Sequence, residues 1–177
     1  MNTLYEKSDS LNSPIECFMD YGSRCSFPIK PHWHYFMEII YIFEGHAEVR
    51  SGSTVISAGR GDMALFHPKA VHSISSDSPD DLRYGVIKLD INCINITADY
   101  APKFRSIFSF AEQRGMSIYF DNAQTKAIEA SRIFENCIKE MQVRRYGYND
   151  IIRSDISCLL VGCLLYTSPS PRDTERS

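Results

Sequence analysis

Between Pro31 and Asp90, short runs rich in branched and aromatic residues alternate with turn formers, and this restricts the fold more than anything else in the chain. The runs are His34–Phe43, His46–Arg50, Thr54–Ser57, Met63–Phe66, His72–Ser75 and Arg83–Leu89. Between them stand Glu44-Gly45, Ser51-Gly52-Ser53, Gly59-Arg60-Gly61-Asp62 and Asp77-Ser78-Pro79-Asp80, whose side chains favour tight reversals. Several short strands at this spacing predict a sandwich or barrel. A weaker strand signal precedes them at Ile15–Met19, within a polar, turn-rich segment from Met1 to Ile29.

From residue 121 the apolar period changes from two to between three and four. Asp121 or Asn122 can cap a helix running to about Arg145, with Ala127, Ala130, Phe134, Cys137, Ile138 and Met141 on one face. Gly147 suits a helix stop. Asn149 can cap a second helix from Asp150 to about Leu165, facing inward with Ile152, Ile156, Leu159, Leu160 and Cys163. Two such helices joined by a few residues form an antiparallel hairpin, and Pro102 can open a shorter helix before them. Phe134, Ile138, Met141, Ile152, Ile156, Leu159 and Leu160 either cover the sheet or form a dimer seam, and we take them as the candidate dimerisation residues. The expected class is mainly β with C-terminal α. The expected division is an N-terminal arm with edge strands (1–29), a β-barrel (30–98) and a linker with two helices (99–165). The tail 166–177, with two prolines among polar residues, reads as disordered and foreign to the native chain.

With 177 residues this is one domain. A net charge of −3 and scattered basic residues argue against direct DNA binding by these residues. Met1–Lys7 show no basic region leading into an apolar stretch, so no signal peptide is expected, and the longest apolar run, Cys158–Leu165, is far short of the roughly 20 residues that span a bilayer. The six cysteines include no Cys-x-x-Cys, which fits mostly buried thiols in a reducing cytosol.

The chemistry concentrates in Pro31-His32-Trp33-His34-Tyr35-Phe36-Met37-Glu38. On one continuous strand His32, His34, Phe36, Glu38, Ile40 and Ile42 share a face, and Trp33 faces the other way as core. Both faces are apolar enough to be buried. His72, opening a later strand, can join the cluster. Three imidazoles and a carboxylate suit Zn, Ni, Mn or Fe with positions left open for a ligand. The same groups can instead hydrogen-bond a small effector such as a sugar, with Phe36 stacking and Ile40 beside it, or satisfy one another structurally. His46 and His67 read as solvated or locally bonded. Gly59-x-Gly61-Asp62 reads as a hairpin turn, since its spacing matches no phosphate loop.

The pattern His32-x-His34-x3-Glu38-x6-Gly45, followed by Gly61-Asp62 and His72, resembles the two motifs of the cupin superfamily. It departs in having Ser26 where a glycine is usual and no asparagine after His72. The stretch HWHYFMEIIYIFEGHAEV…GRGDMALFHPKAVHSI is similar to the N-terminal sensor domain of AraC/XylS-type transcriptional regulators. The resemblance implies a double-stranded β-helix (jelly-roll) barrel that takes a small-molecule effector, followed by a helical hairpin used for homodimerisation. It implies contact with DNA only through a C-terminal helix-turn-helix unit that this chain lacks. The matching His32, His34, Glu38 and His72 are the residues that can hold a divalent transition metal in cupins. The alternative is a metal-dependent cupin enzyme, a dioxygenase or sugar isomerase, using the same four residues.

Overall fold

The computed structural model describes residues 4–7, 13–94 and 103–167. Nine strands are described: β1 (Ile15–Tyr21), β2 (Ile29–His32), β3 (Met37–Glu44), β4 (His46–Ser51), β5 (Thr54–Gly59), β6 (Met63–Phe66), β7 (His72–Ser75), β8 (Arg83–Leu89) and β9 (Tyr119–Phe120). Four helices accompany them: α1 (Phe104–Gln113), α2 (Asn122–Ala127), α3 (Ala130–Val143) and α4 (Tyr148–Thr167). The strands form two antiparallel sheets, ordered β1-β8-β3-β6-β9 and β2-β7-β4-β5. Of the strands adjacent in sequence, only β4 and β5 pair with each other; every other step in sequence crosses between sheets or skips a neighbour. This is jelly-roll connectivity, as the cupin resemblance implies.

Alternation along β3 explains the layering. Ile40 and Ile42 join Ala64, Phe66, Ile74, Tyr84 and Val86 between the two sheets. Met37, Ile39, Tyr41 and Phe43 face the opposite way, into a second core with Phe134, Ile138, Leu159 and Leu160. β3 is thus buried on both faces, and burying each large side chain stabilises the fold by roughly 1.5–3 kcal/mol.

The structure corrects the local reading in several places. What the sequence suggests is one strand from residue 32 to 43 is two. β2 ends at His32 in the four-stranded sheet, residues 33–36 turn a corner, and β3 begins at Met37 in the five-stranded sheet. The Gly59–Asp62 turn is no hairpin: it carries the chain from β5 in one sheet to β6 in the other. Gly61 has φ +93°, a left-handed conformation that a β-carbon disfavours. Asp62 secures this crossing by accepting from the Gly59 N–H at 2.8 Å and from the Tyr119 hydroxyl at 2.9 Å.

The first long helix is broken. Asp121 caps α2 with a capping box to Gln124, and the helix stops at Ala127. Glu129 then takes φ +55° ahead of α3. The break resets the phase, so Ile133 turns inward and Ala127 is exposed. Arg144, at φ +53°, ends α3 rather than Gly147. α4 begins at Tyr148 and continues to Thr167, two residues beyond its expected end; residues 168–177 lie outside the described residues.

The seven residues offered as a dimer seam lie within one chain's own core. Phe134, Ile152, Ile156, Leu159 and Leu160 are fully buried, Ile138 nearly so, and Met141 partly. Phe134 sits 5.5 Å from the Tyr41 ring, where Gly85 leaves room for it. α3 covers the five-stranded sheet and α4 covers α3, joined by an Asn136–Asp155 hydrogen bond of 2.5 Å. Both apolar faces are largely taken up by this layering within one chain.

Candidate functional site

The corner at residues 33–36 brings together groups that belong to different sheets. His32 comes from β2, His34 from the corner, His72 from β7 and Glu38 from β3. Their ligating atoms all lie within 4.8 Å of one another. His34, Glu38 and His72 are buried and His32 is partly so. His72 stacks on Phe66 at 4.2 Å, which fixes its ring plane.

Each imidazole is oriented by its own backbone. Nδ1 of His32 donates to the Lys30 carbonyl at 3.0 Å, Nδ1 of His34 to Phe36 at 3.0 Å, and Nδ1 of His72 to Ala70 at 2.9 Å. A carbonyl only accepts, so all three protons sit on Nδ1 and all three Nε2 atoms point into the cluster. His34 Nε2 lies 2.9 Å from Glu38 Oε2, another pure acceptor. Both contacts are satisfied only by a doubly protonated ring, or by a cation in place of the second proton. His72 Nε2 is buried without a hydrogen-bond partner, 3.6 Å from the same oxygen. Backbone-held imidazoles with converging Nε2 atoms are the usual outer support of a metal ligand set. The donor set fits a divalent ion from the Fe, Mn, Ni and Zn group.

Two groups that the sequence reading missed complete the charge balance. Lys88 Nζ lies 3.4 Å from Glu38 Oε2, and 3.1 Å and 3.2 Å from the two Glu6 oxygens. Glu6 Oε2 is also 3.1 Å from His32 Nε2. Burial pushes the Glu38 carboxyl up, but the hydrogen bond to His34, the nearby His72 ring and the Lys88 ammonium outweigh it and hold it well below the usual range. The hydrogen bond to His32, aided by Lys88 and opposed by burial, lowers Glu6 to about 2. Burial lowers Lys88, yet Glu38 and Glu6 raise it overall. The ammonium partly compensates the Glu38 charge.

His32 and Glu38 of the cluster line a cavity of about 1030 Å³ between the sheets, with His34 and His72 behind them. Phe18, Phe27, Ile74 and Val86 supply its apolar surface, and Asp20, His32, Glu38, Tyr84 and Lys88 its polar one. Asp20 accepts from the Tyr84 hydroxyl at 3.1 Å. Leu4, Tyr5 and Glu6 close one side, held by Glu6 N–H to Trp33 O at 2.9 Å and Trp33 N–H to Leu4 O at 2.8 Å. Trp33 is half-buried against Tyr5, not core.

Of the six expected contact residues only His32 and Glu38 line this cavity; His34 and His72 lie behind them in the cluster, and Phe36 and Ile40 lie elsewhere. Phe36 is buried facing a different cavity, because the corner breaks strand alternation, and the aromatic residues lining the cluster's cavity are Tyr5, Phe18, Phe27 and Tyr84. Ile40 is on the interior face but does not line the cavity. Phe18, Asp20, Tyr84 and Lys88 were readable in principle as even-numbered positions of β1 and β8, polar or aromatic on the barrel face; Glu6 carries no such signal. His46 is exposed and bonds Ser57 at 2.6 Å, as expected. His67 is buried, contrary to expectation.

Two antiparallel sheets enclosing an inward His₃Glu cluster, with helices on one outer face, define a cupin-like barrel of the ligand-binding type. The chain belongs to the AraC-like ligand-binding domain family, whose model matches residues 17–152. No curated protein matches it. Among solved structures, an RmlC-like cupin from Shewanella frigidimarina shares 17% identity over 42% of this chain and 65% of its own, with TM-score 0.36. A cupin with a double-stranded β-helix fold from Methanocaldococcus jannaschii shares 13% over 42% and 67%, with TM-score 0.35. A cupin barrel-domain protein from Salinispora arenicola shares 19% over 48% and 71%, with TM-score 0.34. At these values the three carry no argument about function. Among the described residues, no helix is long and apolar enough to cross a membrane.

Proposed function

We propose that this chain is the effector-sensing and dimerisation part of a cytoplasmic AraC-type transcriptional regulator. The observation that carries this reading is the cavity between the sheets, with a fixed polar wall and an apolar wall, closed by a short N-terminal segment that bonds directly to the polar wall. Pockets of roughly 300–1,000 Å³ suit small molecules. Carboxylates at Asp20 and Glu38, the Lys88 ammonium and His32 match a polyol such as a sugar, with Phe18 or Phe27 against its apolar face. An effector that contacts this wall competes with Glu6 for His32 and Lys88, so binding and arm position are linked. It shifts the regulator only by its differential affinity for arm-docked and arm-released states. Homodimerisation in this reading uses the outward stripe Ile151, Cys158, Val161 and Leu165 of α4, all exposed, rather than the buried seam.

A metal held by Nε2 of His32, His34 and His72 and by Glu38 would act as a Lewis acid toward an oxygen of the bound molecule. The orphaned Nε2 of His72 favours this variant and, with it, a cupin metalloenzyme as the second reading. The test screens monosaccharides, polyols and small organic anions against methyl-labelled protein. A ligand that shifts Ile74 and Val86, weakens at least tenfold in Glu38→Gln, and alters operator occupancy of the full-length regulator supports the sensor. Stoichiometric metal in protein purified without additions, together with turnover of a bound ligand, would overturn it in favour of the enzyme.

A further inference from the structure

A second cavity, of about 490 Å³, lies outside the barrel where α1 meets the ends of β3, β6 and β8. Its floor is apolar: Phe36, Met37 and Phe108, all buried. Its rim carries four charges of balanced sign. Lys69 Nζ lies 5.4 Å over the Tyr35 ring, and Arg105 bonds the Asn92 side chain at 3.3 Å; neither meets a carboxylate among the described residues. Asp90 accepts from the Asn92 backbone and side chain, and Glu112 is exposed; neither meets a cation among the described residues.

His67 also lines this cavity, more than nine-tenths buried, with Nδ1 lacking any hydrogen-bond partner. An unpaired buried polar atom costs about 1–3 kcal/mol unless something supplies its partner. Burial holds this imidazole below its ordinary value, with Glu112 opposing weakly, so it stays neutral and can meet either charge of a ligand. Lys69 adopts φ +71°, a strained conformation for a side chain with a β-carbon, and strain of this kind gathers at ligand sites.

We infer that this cavity is a second ligand site, for a small zwitterion with an apolar side group, the chemistry of an apolar α-amino acid. The carboxylate meets Arg105 and Lys69, the ammonium meets Glu112 and Asp90, and the side group rests on Phe36 and Phe108. The site backs directly onto the His/Glu cluster. The Phe36 carbonyl holds the His34 ring, and the Lys69 N–H donates to the His34 carbonyl at 2.8 Å. Occupancy therefore bears on the segment that orients His34. The site itself needs nothing from the barrel reading.

The experiment titrates methyl-labelled protein with L-phenylalanine, with phenylpropionate, which lacks the ammonium, and with phenethylamine, which lacks the carboxylate. Expected are shifts at Met37 and Ile91, none at Ile74 and Val86, and at least tenfold tighter binding of L-phenylalanine than of either analogue. Arg105→Gln should weaken L-phenylalanine and phenylpropionate about tenfold and leave phenethylamine alone. Glu112→Gln should do the converse. Both side chains are exposed, so both variants should fold. Equal affinity for the three probes, no shifts with any of them, or shifts confined to Ile74 and Val86 would overturn the site; the last would still support a barrel ligand.

Discussion

Replacing Glu6 by glutamine tests how the N-terminal segment is held. The carboxylate spans His32 at 3.1 Å and Lys88 at 3.1 and 3.2 Å, while two backbone hydrogen bonds tie residues 4 and 6 to Trp33. The substituted amide would keep the shape and lose the charge. Glu6 is 46% exposed, so its two ion pairs are treated as partly screened, at about 0.2–1 kcal/mol each. Together they contribute about 1 kcal/mol to arm docking, which corresponds to a roughly fivefold rise in the released fraction. Trp33 is the single tryptophan, and its ring lies 4.8 Å from Tyr5 of the arm, so its emission reports docking directly. Glu6→Gln should change the Trp33 emission and speed amide exchange at residue 6 and Trp33 about fivefold. Salt near 1 M, where the Debye length is about 3 Å, should move the native protein toward the variant. The folded-state pKa of Glu6 is depressed, so the Lys88 part of the contribution is present above the ordinary value of 4.5 and is lost as pH falls through about 2, whereas the His32 part, raised against burial by the Glu6 hydrogen bond, is present below 6.5 and is lost as pH rises through the raised folded value. Emission and exchange that are unchanged in the variant would refute an electrostatic latch.

Glu38→Ala leaves Lys88 and two buried imidazoles facing an uncompensated site and should cost about 3 kcal/mol in urea unfolding. Adding Lys88→Met should recover about half of it; no recovery would show that the pair is not coupled. Phe134→Ala, which empties the space between α3 and the sheet, should cost about 3–5 kcal/mol. That loss should not depend on protein concentration, whereas a seam between copies would make it do so. His67 has a depressed folded value, so its contribution is present above about 6.5 and fades as pH falls through the folded value. His67→Phe should flatten the stability profile between about pH 7.5 and about pH 5.5, and an unchanged slope would contradict burial of a neutral ring.

The sheets were legible because turn formers and branched residues alternate so sharply: β6, β7 and β8 match their sequence runs residue for residue. The identity of the four clustered residues was legible too, through the His-x-His-x3-Glu pattern and His72. How they meet was not. Strand alternation assumes an unbroken strand, and nothing in Trp33–Phe36 announces that the chain leaves one sheet for the other. Phe36 was misplaced for that reason. Lys88 was readable only as a polar barrel-face position of β8, and Glu6 was invisible because its partners, His32 and Lys88, are far along the chain. The helices show the same limit. Periodicity identified apolar faces in α3 and α4, but it cannot say whether a face meets the same chain or another, and Glu129 broke the helix with no glycine or proline to mark it.

The central claim is that three imidazoles, each donating from Nδ1 to a backbone carbonyl two residues away, gather their Nε2 atoms in one cluster, those of His34 and His72 against the buried Glu38 and that of His32 against Glu6. Long-range ¹H–¹⁵N spectra of the histidine rings test it most directly. The account predicts Nδ1–H on His32, His34 and His72, with Glu38→Gln moving the Nε2 signals of His34 and His72 and leaving His46 alone. Rings that average freely between tautomers, or Nε2 signals indifferent to Glu38, would contradict it.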